Sequence, residues 1–438
     1  MKKIAVLTAA VFFLGVNCFA QKESEFKSLR EKIAKSDIAT QDPKKGINPK
    51  TWMDRGKLFH EAYSVNMQYM HFGMNPIESK LYFKEPKQIF SFEEEGIVKE
   101  TYEFNQIKLN FENDALKSWE EIQTVVDDPL GQAVEAFQKA VSLDEKGRNI
   151  KKIKEACRFI NMDLENKFYN EINLFKYIDA YNTAMQRVKI GELTGVPDTT
   201  YYFFGGYAAF AQSEIDSSMW QLAVDNLEKA QALNYREIGE AGQLYDLLFT
   251  SYMSVGEPEK ALKAAQAGFE KNPNNERIMY SLINYYLQHG ENQNALEYLE
   301  HAVARDPENS KLLFAKGKVL EELGERDKSI MAYAEAIASE PDFFDPYYNT
   351  AVMYFNSAIK ILEEINDNPR MTNAEYEIKK EAADNLFIKS IPFMEQAHRI
   401  NPTDFQTMDT LKTLYYRLKS KYPDMESKYE DMIQKLGK

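Results

Sequence analysis

The sequence predicts an all-α solenoid, in which pairs of helices stack one after another along the chain. The main observation is a constant 34-residue step, kept by three prolines, three glycines and three small residues. They are Pro273, Pro307 and Pro341, Gly256, Gly290 and Gly324, and Ala261, Ala295 and Ser329. The composition agrees, since Gly and Pro are scarce (19 and 15 of 438 residues) and aromatic residues are plentiful (13%). A fixed period of this length indicates stacked helix–turn–helix repeats, which usually form surfaces that hold other chains.

The first twenty residues have the layout of a cleavable secretory signal. A basic start precedes an apolar run over 4–16 and a small residue at Ala20, and this run is too short to cross a membrane. We expect cleavage after Ala20 and export to the periplasm or envelope of a Gram-negative bacterium. The alternative is a lipoprotein attached through Cys18, which is disfavoured because Asn17 stands where such a signal needs a small residue.

The composition beyond residue 20 limits the partners of the chain. Without Lys2 and Lys3, the 54 Lys and Arg of the whole chain become 52, against 68 Asp and Glu, a net charge of −16. This charge argues against binding to nucleic acid or to anionic lipid. No apolar run there approaches the length of a transmembrane segment. A single cysteine, Cys157, excludes an internal disulfide.

The clearest repeat unit is 276–309. Its first half places apolar residues at helical spacing and ends at Gly290, as expected of a left-handed helix cap. The second half carries the small residues Ala295 and Ala302 on one face, which lets the two helices approach closely. Pro307 closes the unit because proline cannot continue a helix.

This unit and its neighbours, 242–275 and 310–343, resemble the tetratricopeptide repeat family. The family pattern runs W-x2-L-G-x2-Y, then A-x3-F-x2-A, then P. The flanking units match it at Tyr252, Gly256, Ala261, Ala265, Pro273, Leu313, Gly317, Leu320, Gly324, Tyr333, Ala336 and Pro341. The three units depart from the family pattern at Phe249, Ile283, Ser329 and Gly268. The resemblance implies a right-handed superhelix of about seven to eight units.

Weaker copies of the unit are predicted on both sides of this core. The array covers 201–235 upstream and 344–404 and 405–438 downstream, and degenerate units cover 21–145 and 146–200. Together, residues 201–438 form the predicted repeat array.

The unit over 344–404 is enlarged in its middle. Pro402 follows Pro341 at a step much longer than the regular one, and the excess predicts an insertion at about 362–388. We expect two lengthened helices there, with Pro392 inside the second.

The unit over 21–145 is interrupted by an insertion at about 66–125. The flanks of the insertion resemble the two helices of one repeat, with matches at Trp52, Gly56, Ala133, Phe137 and Ala140. Within it, residues 89–111 alternate apolar and polar side chains, which indicates strands. We expect either a small β-hairpin or an irregular loop. Insertions of solenoids often lie on the binding face.

No pattern of catalytic or metal-binding residues is found in the sequence. The five histidines include no pair at i, i+4, which excludes a zinc-binding HExxH helix. No phosphate-binding glycine loop and no nucleophile elbow occurs. Cys157 lies beside apolar residues, and we interpret it as a buried, small apolar side chain. We therefore predict that the chain is not an enzyme and has no catalytic residue, no metal and no cofactor.

The resemblance implies a groove that binds a segment of a partner protein. In the family, defined positions of each first helix line the concave surface. Carried over by register, these positions hold Asp246, Thr250, Gln288 and Asn356 and the eight residues chosen as candidates, Arg277, Tyr280, Asn284, Lys311, Phe314, Lys318, Tyr348 and Asn349. Aromatic and amide side chains suit recognition of an extended or helical segment. The same residues also suit an ordinary solvated surface.

Two other functions were compared with groove binding. Some members of the family bind the acidic C-terminus of chaperones through a clamp of Lys and Asn side chains. Here Tyr280, Ala315 and Asp345 occupy three clamp positions, so the clamp is broken. The remaining alternative is a structural or accessory subunit of an envelope assembly or secretion machine, held through the N-terminal insertion and the convex face.

Overall fold

The computed structural model describes residues 16–236 and 242–436, with side chains from Glu23 onward. Up to residue 15, the predicted signal lies outside the described residues. The described part of the chain forms 18 α-helices and one four-stranded sheet. None of these helices is long and apolar enough to cross a membrane. The chain divides into two compact units, Met1–Ala264 and Ala265–Lys438.

The first unit contains nine helices and the start of a tenth among its described residues. They are α1 (Val16–Gln41), α2 (Pro49–Met67), α3 (Pro76–Phe83), α4 (Pro129–Leu143), α5 (Ile150–Asn173), α6 (Tyr177–Thr194), α7 (Thr199–Ser213), α8 (Met219–Ala232), α9 (Gln243–Ser254) and α10 (Pro258–Lys271). Three of them begin with an Asn or Asp cap followed by proline. Asn48, Asn75 and Asp128 each accept a hydrogen bond from a backbone N–H of the first turn, and this local sequence is a strong start signal.

An antiparallel sheet lies between α3 and α4 in the chain. Its strands are β1 (Gln88–Glu94), β2 (Ile97–Glu103), β3 (Ile107–Glu112) and β4 (Ala115–Glu121), paired in that order. The sheet is larger than the hairpin predicted over 89–111. Asn113 and Asp114 have φ values of 46° and 62°, as in a two-residue hairpin turn, and this turn adds β4.

The sheet is part of the core of the first unit. Ile107, Leu109 and Phe111 of β3 are buried in one apolar cluster with residues of α1, α2, α4 and α5. The buried amide of Asn170 on α5 accepts a hydrogen bond from the backbone N–H of Trp119 at 2.7 Å and donates one to its carbonyl at 3.0 Å. The insertion is therefore fastened to the helices by packing and by backbone hydrogen bonds.

Helices α2 and α4, which flank the insertion, pack against each other. The contact places Gly56 of α2 against the fully buried ring of Phe137. A Cβ atom at residue 56 would lie 2.9 Å from that ring, so glycine is required for this approach. The glycine and the aromatic residue are two of the positions that resemble the repeat family.

The second unit begins within α10 and continues through eight described helices. They are α11 (Glu276–Gln288), α12 (Asn292–Arg305), α13 (Ser310–Glu322), α14 (Arg326–Ser339), α15 (Phe344–Asn366), α16 (Asn373–Ile400), α17 (Phe405–Leu418) and α18 (Asp424–Lys435). Helices α15 and α16 contain 23 and 28 residues, and α16 starts with a capping box formed by Thr372 and Glu375. Pro392 lies inside α16.

The glycines of the 34-residue step share one backbone conformation. Gly256, Gly290 and Gly324 have φ values of 78°, 70° and 76°, in the left-handed region that favours glycine. In each case the N–H of the next residue donates to a carbonyl five residues back, at 2.8 Å. This is the hydrogen bond of a Schellman cap, and it ends α9, α11 and α13 in the same way.

Candidate partner-binding surface

Helix α11 leaves one stripe of side chains in solvent. Arg277, Tyr280 and Asn284 are exposed and lie at i, i+3 and i+7, which places them on one face of the helix. The remaining faces are buried through Ile278, Met279, Leu282, Ile283, Tyr285 and Tyr286. Tyr280 is 38% exposed. Part of its aromatic ring therefore faces water, beside a cation and an amide.

Helix α13 supplies three candidate residues with different environments. Lys311 is exposed, whereas Phe314 and Lys318 are half-buried. The ring of Phe314 packs against Tyr333, with centroids 5.6 Å apart, and against Phe343 at 5.3 Å. Phe314 therefore helps to hold the helices of this unit together, and only part of its ring is available to a partner.

Helix α15 supplies the last two candidates, and both are half-buried. The ring of Tyr348 stacks on Phe344 at 5.6 Å, and its hydroxyl donates to Gln406 Oε1 at 3.2 Å. Burial raises the pKa of Tyr348. Asn349 lies beside the phenol of Tyr333. Tyr348 is thus held by α17 as well as presented by α15.

Tyr333 on α14 joins two of the predicted residues, Phe314 and Asn349, and was not itself predicted as part of the surface. It is fully buried, and its hydroxyl donates to Glu321 Oε2 at 2.9 Å. Burial and this carboxylate raise the pKa of the phenol. The signal for it was its match to an aromatic position of the repeat pattern.

The eight candidate residues carry a local excess of positive charge. They include Arg277, Lys311 and Lys318 and no acidic side chain, in a chain whose net charge is −14. The charge of Lys318 is partly compensated, since its ammonium lies 3.8 Å from Glu321. The set of candidates therefore differs in sign from the chain as a whole.

The N-terminal insertion presents a second exposed surface, which is apolar. Ile77 and Leu81 of α3 are 78% and 76% exposed, and Phe90, Phe92 and Val98 of the sheet are also exposed. Phe90 and Phe92 share one face of the sheet, whereas Val98, which pairs with Glu93, lies on the other face. Ile77 and Leu81 lie one helical turn apart on α3, and we call these two residues the insertion surface. Large apolar side chains grouped on a surface are typical of protein contact sites.

Titratable groups elsewhere take part in structural contacts. His60 Nε2 lies 2.6 Å from Asp163, and His71 Nε2 lies 3.0 Å from Glu78. Burial raises the pKa of Cys157 to about 12, so its thiolate is not accessible at neutral pH. Within 16–236 and 242–436, no three His, Cys, Asp or Glu side chains are placed to hold a metal ion.

Comparison with protein families identifies the repeats. One model of the tetratricopeptide repeat family matches residues 247–310, and a second model of that family matches 286–352. The matches confirm the resemblance where the 34-residue step is clearest. A search of curated protein sequences returned no match.

Several solved structures of MamA proteins are similar to parts of this chain. A MamA structure from AMB-1 is 17% identical, covers 47% of this chain and 93% of its own, and has a TM-score of 0.32. Another MamA structure is 19% identical, covers 42% and 91%, and has a TM-score of 0.34. MamA from Desulfovibrio magneticus RS-1, from residue 41 onward, is 13% identical, covers 45% and 95%, and has a TM-score of 0.30. At these TM-scores the similarity carries no argument about function.

Proposed function

We propose that this tetratricopeptide repeat protein is a non-enzymatic scaffold of the bacterial cell envelope. It binds a segment of a partner protein along the first helices of its repeats. The family models cover α11 and α13, which carry six of the eight candidate residues. Repeat solenoids of this kind generally bind other proteins rather than catalyse reactions.

The observation that carries the proposal is the exposed stripe of α11. Arg277, Tyr280 and Asn284 combine a cation, an aromatic ring and an amide on one face. Arg and Tyr are enriched at the centres of protein interfaces, because both supply large contact areas and hydrogen bonds. An exposed face of this composition suits contact with a peptide backbone and its side chains.

The charge of the surface indicates the chemistry of the partner. Three cationic side chains among the eight candidates favour a segment that contains acidic residues, because opposite potentials steer association and fix the register. Such binding weakens as salt is added, since exposed charges are screened within about 8–10 Å at physiological ionic strength.

The test replaces the stripe and leaves the core intact. The variant Arg277→Ala/Tyr280→Ala/Asn284→Ala is compared with the control Gln293→Ala/Glu297→Ala/Glu300→Ala, which changes exposed residues of α12. Partners are captured by crosslinking in cells and quantified. We expect the α11 variant to lose a specific set of partners that the control retains. Identical capture by both variants would refute binding along the first helices.

Phe314→Ala and Tyr348→Ala are less suitable for this test. Both rings pack within the protein, so their removal weakens helix contacts as well as any partner contact.

The envelope location is tested by the mass of the purified chain from its native source. A chain that begins at Gln21 supports export by the predicted signal. A mass that retains Met1 would refute export, and a lipid on Cys18 would identify a lipoprotein instead of a free periplasmic protein.

A second candidate function is favoured by the insertion surface. An accessory subunit of an envelope machine could be held through the apolar side chains of α3, rather than through the repeats. The variant Ile77→Ser/Leu81→Ser tests this, because both residues are largely exposed and their loss leaves the core intact. Loss of assembly in this variant, with the α11 stripe unchanged, would support the second function over the first.

Deletion of 86–111 does not distinguish the two functions. This segment contains Tyr102, Ile107 and Leu109, which are buried in the core of the first unit. Its removal is expected to unfold that unit whatever the partner is.

A further inference from the structure

The four-stranded sheet of the insertion has two edges, and helix α5 covers one of them. This covered edge is β4. Asn170 of α5 bonds both backbone groups of Trp119, and Asn173 Nδ2 donates to the carbonyl of Lys117 at 2.7 Å. A further strand would have to pair with these same groups, so β4 is not available for pairing.

The other edge is formed by β1. Val98 of β2, which lies opposite Glu93, directs both of its backbone groups to Asn113. Its N–H donates to Asn113 Oδ1 at 3.1 Å, and its carbonyl accepts from the Asn113 N–H at 2.8 Å. Glu93 therefore exchanges no backbone hydrogen bonds with Val98. Because such positions alternate along an antiparallel strand, Ile89, Ser91 and Glu93 direct their N–H and C=O groups away from β2. In the described part of the chain, no hydrogen bond reaches these outward groups.

Strand β1 lacks most of the features that protect an edge strand. Protected edges are short, bulged, interrupted by proline or strongly charged. β1 pairs with β2 in an unbroken register over all seven residues, contains no proline and is acidic only at its end. In its middle, Phe90 and Phe92 are 44% and 51% exposed on one face. A long edge with exposed aromatic side chains is a template for a further strand.

We propose that β1 pairs with β1 of a second copy of this chain, antiparallel and about a two-fold axis at Ser91. Ser91 is the middle residue of the strand, so this register pairs the strand along its whole length. It makes Ile89, Ser91 and Glu93 the hydrogen-bonded positions, as their outward groups require. Phe90 of one copy then lies opposite Phe92 of the other at the closer, non-hydrogen-bonded positions, where aromatic pairs stabilise a sheet.

The charges at the two ends of β1 support a second copy as the partner. The segment 84–87 before the strand contains two lysines and Glu85, which is already paired with Lys80 at 3.5 Å. The segment 93–95 at the other end consists of glutamates. Antiparallel pairing places the lysines of each copy beside the glutamates of the other, whereas parallel pairing would place the glutamates side by side, which is unfavourable.

The same surface on both copies makes this an isologous dimer contact. It uses neither the exposed stripe of α11 nor the insertion surface on α3. Dimer formation is therefore independent of both candidate functions, and either function can fail without affecting it.

Sedimentation equilibrium of the purified chain over a range of concentrations tests the proposal. The chain is produced from Gln21 onward, because the apolar run of the predicted signal would itself promote association. We expect a monomer–dimer equilibrium. The variant Phe90→Thr/Phe92→Thr should raise the dissociation constant at least tenfold, because threonine suits a strand but removes the aromatic contacts.

The matched control is Ile77→Ser/Leu81→Ser. It removes two apolar side chains that are even more exposed, at 78% and 76%, but that lie on α3 and outside the edge of the sheet. This control should leave the dissociation constant unchanged. Circular dichroism shows whether each variant is folded.

The variant Ser91→Cys tests the register. In a hydrogen-bonded pair the two Cα atoms lie about 5.5 Å apart, within the range for a disulfide, so mild oxidation should link two copies of this variant. Glu93→Cys is the control on the same face. Its two copies lie four residues out of register, about 14 Å apart, and should not be linked. The native Cys157 is buried and does not compete.

Three results would overturn the proposal. A chain that remains monomeric at its highest soluble concentration leaves the edge to a strand of a different protein. Equal weakening by Ile77→Ser/Leu81→Ser and by the phenylalanine variant assigns the association to α3. Equal oxidation of Ser91→Cys and Glu93→Cys, or oxidation of neither while the dimer persists, contradicts the two-fold pairing at Ser91.

Discussion

Replacement of Gly317 by alanine tests the packing of the repeats, because it sets a gain in helix propensity against a larger steric cost. In an exposed helix, Gly→Ala stabilises by about 1 kcal/mol. At Gly317, a Cβ atom would lie 2.4 Å from Cε1 and 2.5 Å from Cδ1 of Tyr333, well inside the ordinary contact range of 3.4–4 Å. Overpacking of a core costs about 1–3 kcal/mol.

The ring of Tyr333 cannot easily move away from the added methyl group. It is fully buried, and its hydroxyl is held by Glu321 at 2.9 Å. The steric cost should therefore lie in the upper part of its range and exceed the gain in helix propensity. We expect a net loss of about 1–2 kcal/mol from Gly317→Ala.

The assay must report on α13 and α14 in particular. The three tryptophans, Trp52, Trp119 and Trp220, all belong to the first unit, so intrinsic fluorescence does not follow this helix pair. Repeat arrays also lose two-state behaviour. Native-state hydrogen exchange of residues 310–339 measures the local opening free energy directly.

A double-mutant cycle identifies the cause of the loss. In a Tyr333→Ala background the clash is absent, so Gly317→Ala should be neutral or stabilising by up to about 1 kcal/mol. An unchanged or higher opening free energy for Gly317→Ala in the native background would refute the argument. So would an equal loss in both backgrounds.

Four further outcomes are expected. Gly290→Ala should lower stability by about 1 kcal/mol in urea unfolding, because an L-residue at φ 70° is strained. Ala295→Leu should cost about 1–3 kcal/mol, since Ala295 is fully buried, and an unchanged melting temperature would contradict the proposed helix contact. The hydrogen bond to Glu78 raises the pKa of His71, so Glu78→Gln should lower that pKa in an NMR titration. The interaction stabilises the fold at pH values below the ordinary histidine pKa of about 6.5. This stabilisation is lost as the pH rises through the raised pKa. Cys157, with its pKa raised to about 12 by burial, should react with a thiol reagent only after denaturant is added.

The repeat signal was readable from the sequence because it depends on local backbone geometry. A left-handed cap favours glycine, so Gly256, Gly290 and Gly324 mark helix ends at the same step as the family pattern. Strand β4 was harder to predict from the sequence. The Asn113–Asp114 turn signal is weak, and the Asn110/Phe111 irregularity in pairing with β4 interrupts the alternation that marks a strand.

The residues of the candidate surface differ in how far the sequence could predict their exposure. Register within the repeat gave the exposed stripe of α11, because helix phase fixes which residues share a face. The half-buried state of Phe314 and Tyr348 depends on Phe343 and Phe344 at the start of α15, whose positions are set by tertiary packing.

Both large insertions lie between two helices that pack against each other, α2 with α4 and α15 with α16. Between α11 and α12 the connection covers only 289–291, whereas between α2 and α4 it covers 68–128. That increase is about four doublings of loop length, which costs only about 2–3 kcal/mol in closure entropy. The helix contact itself is kept, because Gly56 still meets Phe137.

The extension between α15 and α16 follows the same rule. Ser329 Oγ donates to the carbonyl of Gly317 at 2.8 Å, and Ser390 Oγ donates to the carbonyl of Ala351 at 2.8 Å. Gly317 and Ala351, which supply the two carbonyls, are separated by the regular 34-residue step. Ser329 and Ser390 are separated by this step plus the length of the insertion. The inserted residues therefore lie between two helix segments whose contact is unchanged. A helix pair whose packing is fixed at its base can therefore gain a sheet or longer helices at its open end. Burial of the apolar face of the sheet in the core also offsets part of the closure entropy of the long connection.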